Sequence, residues 1–393
     1  MCFIFASNNR IVTICIILLM VWICLTELVL DSIYFYKILS SYSKFLPDNP
    51  AIQDHIDAFK HCYQATQTPK TPRRNELNHI FGLTQKLLDK NHVRDIWKLH
   101  NGHFTCLCAR QNVKPYVQNF HELNVCLREL NIPLLYIVAP FKICPQDPQL
   151  PSFIHDYSEN NKQDFLAGLK DSDIPAMDLH KEFHDQGYNH YDEFYKTDHH
   201  WTINAAFTAF GMIVNKLNHD FNFNIPEKCT DIHSFQIFHN PRSFAGSMSY
   251  QTSYLYTGKD DADFILPLHS PQYTVIVPED KLTLNGDFRS TVLRPLERGQ
   301  CWNYGSFTGR ESFLTIIINH NPIEDKKILI VKDSFSLPFQ AFLSTIFRQL
   351  DIIDLRNPGT ESLTNYIQRT KPDMVIFLYN ADSYYSKEMY TFK

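Results

Sequence analysis

Residues Ile328–Ser336 read ILIVKDSFS. The run Ile328–Lys332 is short and almost wholly apolar, the pattern of a parallel strand covered on both faces. Pro338–Leu350 then has helical spacing, so Asp333-Ser334 falls where a strand turns into a helix. The alternation continues downstream: Ile352–Leu355 reads as a strand, Glu361–Thr370 as a helix and Met374–Tyr379 (MVIFLY) as a strand. Upstream, the amphipathic helix Val113–Leu130 leads into Leu134–Ala139 (LLYIVA), which ends at Pro140. Strands alternating with helices predict an α/β fold around a parallel, helix-covered sheet. Ligands of such sheets sit outside the carboxyl ends of the strands. Lys142, Ser334, Arg356 and Asn380 each follow one of four predicted strands, so this topology gathers them on one edge.

Other segments fill in the frame. Asn75–Asp89 reads as a helix, and Asp95–Ala109 (DIWKLHNGHFTCLCA) as a hairpin turning at Asn101-Gly102. A helix near Asn161–Lys170 and a short strand follow. Thr202 can cap a helix over Ile203–Leu217. Phe221–Lys326 is different, with few helical periods, many prolines and β-like segments such as Tyr273–Val277 and Phe313–Ile318. It reads as a β-rich insertion, about 221–326.

The chemistry is carried by Ser334 and by Thr197–Trp201, TDHHW. A serine at a strand-to-helix turn is exposed at the sheet edge, and backbone N–H groups there can hold an oxyanion. The plain alternative is that Ser334 only caps its helix; Ser336 suits that cap better. Asp198 and His200 are one residue apart, which in an extended segment puts both side chains on one side and His199 on the other. Asp198 would then orient His200 while His200 takes the serine proton. Alternatively Asp198 decorates the first turn of the next helix and the histidines are surface residues. A metal reading also stands, since His190, Asp192, Asp198, His199 and His200 crowd together, although no recognised ligand spacing accompanies them. Trp201 is a sugar-stacking wall or a core residue. Asn380 ends an apolar strand and is either an oxyanion donor or a turn residue.

Composition bounds the rest. The chain has 393 residues, 44% hydrophobic and 20% charged, with net charge −5, so a packed core is feasible and nucleic acid is not an expected partner. Ile11–Leu30 reads IVTICIILLMVWICLTELVL, with Glu27 its only charge, and about twenty apolar residues span a bilayer. Arg10 before it and Asp31 after it give a weak cue for a cytoplasmic N-terminus. The expected organisation is therefore a membrane anchor over 1–33 and one extracytoplasmic domain over 34–393. Of the ten cysteines, Cys62, Cys106, Cys108, Cys126, Cys144, Cys229 and Cys301 fall beyond the anchor, an odd number that leaves at least one unpaired.

Thr197–Trp201 together with Lys332–Ser336 resembles the DHHW family and the related alginate O-acetylation proteins of the AlgJ/AlgX kind. The similarity covers roughly residues 90–393 and includes Pro140–Lys142 and Phe244–Ala245–Gly246–Ser247. It implies an SGNH-hydrolase-like, flavodoxin-like three-layer domain in circularly permuted order: Asp198/His200 first, then Asp333-Ser334, Arg356–Gly359 and Asn380. It implies Ser334, His200 and Asp198 as a catalytic triad, with the Ser334 N–H and Asn380 as oxyanion donors. Lys142, Trp201, Ser247, Tyr250 and Arg356 are implied as substrate contacts. Lys332 departs from the family by replacing the glycine of its serine block, and Gly359 is the nearest candidate for the second-block glycine.

The resulting expectation is a membrane-anchored, extracytoplasmic O-acetyltransferase acting on a cell-surface or exported polysaccharide. No cofactor or metal is expected, and a membrane-bound O-acyltransferase is implied as donor partner. An acetylesterase with the same triad, a non-catalytic polysaccharide-binding scaffold and a metal-dependent hydrolase are the alternatives.

Overall fold

Alternation along three neighbouring strands with buried cores sets the layers. The structure, a computed structural model, describes residues 74–294, 304–307 and 312–393. Contacts divide the chain into a unit ending at Thr84 and a larger one, Gln85–Lys393, which holds everything below except part of the helix Arg74–Leu87. The expected anchor Ile11–Leu30 and the expected boundary at residue 33 lie outside the described residues. Among the described residues, no helix is long and apolar enough to cross a membrane.

The strands are β1 (His92–Val93), β2 (Ile96–Lys98), β3 (Phe104–Thr105), β4 (Leu134–Ala139), β5 (Ala176–Asp178), β6 (Phe235–Phe244), β7 (Asp260–Pro267), β8 (Tyr273–Val277), β9 (Leu282–Gly286), β10 (Leu314–Asn319), β11 (Glu324–Lys332), β12 (Phe347–Ile353) and β13 (Met374–Asn380). β4 and β13 are buried at every position, so side chains of both parities need cover. Leu134, Tyr136, Leu329, Val331, Val375 and Phe377 point to one face, against helices Lys114–Glu129, Ser158–Asp171 and Leu363–Thr370. Leu135, Ile137, Ile328, Ile330, Ile376 and Leu378 point to the other, against helices Ile203–Phe221 and Ser336–Leu343. Three layers follow from this split.

The central sheet runs β5-β4-β13-β11-β12-β10-β8-β9. β5, β4, β13, β11 and β12 are mutually parallel. Read from β12, the parallel part is β12-β11-β13-β4-β5. Counted from β11 and wrapping past the end of the chain, that is the 2-1-3-4-5 order of flavodoxin-like folds. The permutation expected from the motif order is thus present in the strand order. The switch point of such a sheet lies between its first and third strands, here β11, which Ser334 follows by two residues, and β13, which Asn380 ends.

One expectation changes. The helix expected over Pro338–Leu350 stops at Leu343. The Ser344 and Thr345 hydroxyls fold back onto the carbonyls of Ala341 and Phe342, each at 2.7 Å, and the chain turns at once into β12. Apolar runs do not distinguish a helix from a buried strand, and Leu350–Ile353 are needed as partners of Ile328–Val331. The described part of the segment 221–326 carries β6 to β10. Among the described residues β6 and β7 pair only with each other, while β10 joins β12 antiparallel and carries β8 and β9, covering an edge the parallel sheet would otherwise expose.

The expected hairpin is present as β2–β3 within a three-stranded sheet, and Gly102 supplies a φ of +85° at its turn. Thr202 caps Ile203–Phe221, accepting the Ala205 N–H at 3.1 Å.

Candidate active site

The TDHHW segment is built of successive bends. Asp198 and His200 meet through a local turn, not by the alternation of an extended strand. The Asp198 carboxylate accepts the His200 backbone N–H at 2.9 Å and faces its ring Nδ1 at 2.5 Å. Short Asp side chains favour this kind of backbone-binding turn. With Nδ1 donating to the carboxylate, Nε2 is left as an acceptor, and Ser334 Oγ lies 2.7 Å from it. Ser334, His200 and Asp198 therefore form one hydrogen-bonded series. Ser334 is half-buried, while His200 and Asp198 are buried.

His199 does not point away as expected. Its ring lies 3.8 Å from that of His200, and its Nδ1 meets Ser247 Oγ at 2.8 Å. Burial, and next the neighbouring His200 ring, push its pKa well below the usual histidine range.

The Asp198 carboxylate is held from several sides. Ser247 donates its backbone N–H at 2.6 Å. Burial alone would raise the Asp198 pKa, but the charge and hydrogen bonds of His200 hold it well below the carboxylate range. Gly246 is needed for closeness, since a Cβ there would lie 2.4 Å from Asp198 Cβ. Asp260 accepts the backbone N–H groups of Lys196 (2.9 Å) and Thr197 (2.8 Å), clamping the start of the segment.

Lys142 and Trp201 are corrections. Both were expected to touch substrate, and both are interior: Lys142 is 1% exposed and Trp201 0%. The Lys142 ammonium donates to the carbonyls of Phe104 (2.8 Å), Tyr195 (2.7 Å) and Asp198. It is a buried brace beneath the carboxylate. Burial pushes its pKa down to about 8, against the raising influence of Asp198, Asp260 and Cys106. Trp201 Nε1 donates to Tyr304 Oη (3.0 Å) and the Phe335 carbonyl (3.1 Å), which ties the histidine segment to the serine turn. Tyr304 is a site residue that sequence reasoning missed. It stacks on His200 at 4.1 Å, and no motif surrounds it.

On the serine side, Asp333 organises the turn. Its two oxygens accept the backbone N–H groups of Phe335 (2.8 Å) and Asn380 (2.6 Å), joining the ends of β11 and β13. Among the described residues, neither the Ser334 N–H nor Asn380 Nδ2 has a protein acceptor, so both are available as donors. Ser336 does not cap its helix, whose N-cap is Phe335. Lys332 bonds Asp354 at 2.7 Å, and Arg356 grips the same carboxylate with two guanidinium bonds, at 2.9 and 2.7 Å. Burial opposes ionisation of Asp354, but these two cations hold its pKa down to about 2. The charge of Arg356 also acts on Asp333 and His199.

Gly359 packs against Phe313, where a Cβ would lie 2.5 Å from the ring. Tyr250 is 77% exposed in the helix Ser247–Thr252. His190 does not join Asp198. It faces Cys144 and His180, while Asp192 pairs with the Asn189 amide.

Residues 94–228 match the family model described as SGNH hydrolase-like domain, acetyltransferase AlgX. Among solved structures, PatB1 of Bacillus cereus with a sulfonyl adduct is 19% identical, with a TM-score of 0.62 over 76% of this chain and 99% of its own. A DHHW family protein from Eubacterium siraeum DSM 15702 is 14% identical, with a TM-score of 0.58 over 75% of this chain and 93% of its own. No curated protein matches the chain. The fold is SGNH-hydrolase-like, with a large mixed sheet, as the sequence resemblance implied.

Proposed function

We propose that this SGNH-hydrolase-like chain is a serine acyltransferase that O-acetylates a cell-surface or exported polysaccharide. The observation that carries the reading is the unbroken series Ser334 Oγ, His200 Nε2, His200 Nδ1, Asp198, with contacts of 2.7 and 2.5 Å, at the switch point of the sheet. Ser334 Oγ attacks the acyl carbonyl of the donor, and His200 Nε2 takes its proton. The oxyanion is met by the Ser334 N–H and Asn380 Nδ2. His200 then gives the proton to the leaving group, and the acyl group stays on Ser334. A sugar hydroxyl attacks this ester, passing its proton to His200; the bond from Ser334 Oγ to the acyl carbon breaks, His200 returns the proton to Oγ, and the acyl group leaves on the sugar. Asp198 stays ionised throughout and stabilises the imidazolium.

Water in place of the sugar makes the same centre an esterase. A non-catalytic polysaccharide-binding scaffold is the second reading. One observation favours it: Gly359 rests on Phe313, which leaves two oxyanion donors without a second-block glycine among them. The apolar segment Ile11–Leu30 supports tethering outside the cytoplasm. A membrane-bound acyltransferase is the donor partner that the resemblance supports.

The sulfonyl adduct in PatB1 suggests the probe. Phenylmethanesulfonyl fluoride should add one sulfonyl group per chain, at Ser334, and block release of para-nitrophenol from para-nitrophenyl acetate. Ser334→Ala should not be labelled. Labelling elsewhere, or turnover that survives in Ser334→Ala, overturns the acyl-enzyme route.

A further inference from the structure

Acyl transfer leaves one cluster of ligating side chains unused. Cys144 lies in the loop after β4, bridged to Asp147. His180 is in the helix Leu179–Asp185 directly after β5, and His190 opens the 3-10 turn His190–Glu193. One donor atom from each lies within 4.8 Å of the other two. β4 and β5 are on the opposite side of β13 from β11, so this cluster belongs to a different part of the sheet edge from Ser334.

Three features mark it as a built site. A thiol with two imidazoles is the donor set of tetrahedral zinc. His180 is 9% exposed, and among the described residues its buried Nε2 has no hydrogen-bond partner. Buried ring nitrogens are ordinarily paired. His190 Nε2 is 2.9 Å from the Lys142 carbonyl, to which it donates, and this leaves Nδ1 with its lone pair. Metal-binding histidines characteristically hold their outer N–H on a backbone carbonyl in this way.

We propose that Cys144, His180 and His190 bind a zinc ion that pins the Lys142 loop beneath Asp198. The linkage is direct. His190 holds the Lys142 carbonyl, and the Lys142 ammonium holds the carbonyl of Asp198. With Zn–N near ~2.0 Å and Zn–S near ~2.3 Å, a tetrahedral ion needs donor spacings of roughly 3.3–3.6 Å, inside the 4.8 Å that bounds the three donor atoms. Cys144 loses its thiol proton to solvent as the S–Zn bond forms, both imidazoles bind neutral, and water takes the fourth position. No redox change is involved.

The test needs no turnover, so it stands or falls apart from the acyl-transfer reading. The full chain, stripped of metal, is titrated with Zn²⁺ and separately with Co²⁺. One equivalent should bind, Co²⁺ should give a thiolate charge-transfer band, and Zn²⁺ should raise the melting temperature. Cys144→Ser should abolish the band, and His180→Gln should weaken binding by about 10–100-fold or more. Circular dichroism establishes that each variant is folded; if Cys144→Ser is not, His180→Gln carries the result. His199→Ala/His200→Ala should keep both band and stoichiometry. A folded wild type with no bound zinc and no band overturns the proposal. So does binding that survives Cys144→Ser, or that is lost in the His199/His200 variant, which would put the ion at Asp198.

Discussion

At the residue scale, the proposed triad is tested by removing its members, since in such a series the serine needs the histidine as base and the histidine needs the carboxylate to orient it. Ser334→Ala, His200→Ala and Asp198→Ala should each lower turnover of para-nitrophenyl acetate by about 10³-fold or more. The double variant Ser334→Ala/His200→Ala should lose little beyond the worse single, since triad members are not additive. Steady-state rates on the purified variants check this; additive losses would mean that two separate routes operate. His199 is a different case. Its ring rests on His200 and binds Ser247, whose N–H holds Asp198. His199→Ala should therefore be milder than His200→Ala yet measurable. If His199→Ala is inactive while His200→Ala turns over, the base is misassigned by one residue.

At the element scale, the Lys142 loop supports the bend that carries Asp198. Lys142→Met leaves three buried carbonyls without their donor and should lower stability to denaturant by about 1–3 kcal/mol or more, the cost of leaving at least one such group unsatisfied. The pH dependence has a defined sign. The folded-state pKa is about 8, below the ordinary lysine value. Between about pH 8 and 10.4 the unfolded chain holds a proton that the native state has released, so this group makes stability rise with pH across that window. The rise should vanish in Lys142→Met; an unchanged slope would mean that Lys142 does not titrate there. Lys142 also shows where the sequence stops being legible. Its place after β4 was readable, because Leu134–Ala139 is apolar at each position. Its burial was not, because Phe104, Tyr195 and Asp198 converge on it from separate segments. The same holds for Tyr304 against His200, a contact across 104 residues that no local period encodes. His199 was misplaced for the opposite reason, since a local turn at Asp198 overrides the strand alternation assumed for it. The serine turn and Asn380 were legible because each directly follows a short apolar run.

At the scale of the whole molecule, a tether at Ile11–Leu30 is a proposal with a direct test, since it requires residues 31–393 to lie outside the cytoplasm. Protease added to intact cells, with any outer membrane permeabilised, should degrade that domain, and full protection would sink the assignment. The strand order has a consequence for synthesis. Among the described residues β4 pairs only with β5 and β13, while β11 pairs only with β12 and β13. Met374–Asn380 is thus the keystone between two halves that do not touch through their strands, and it is translated after both. Completion of the sheet therefore waits on its last strand in sequence, and so does the bond from the Asn380 N–H to Asp333 that ties β13 to the serine turn.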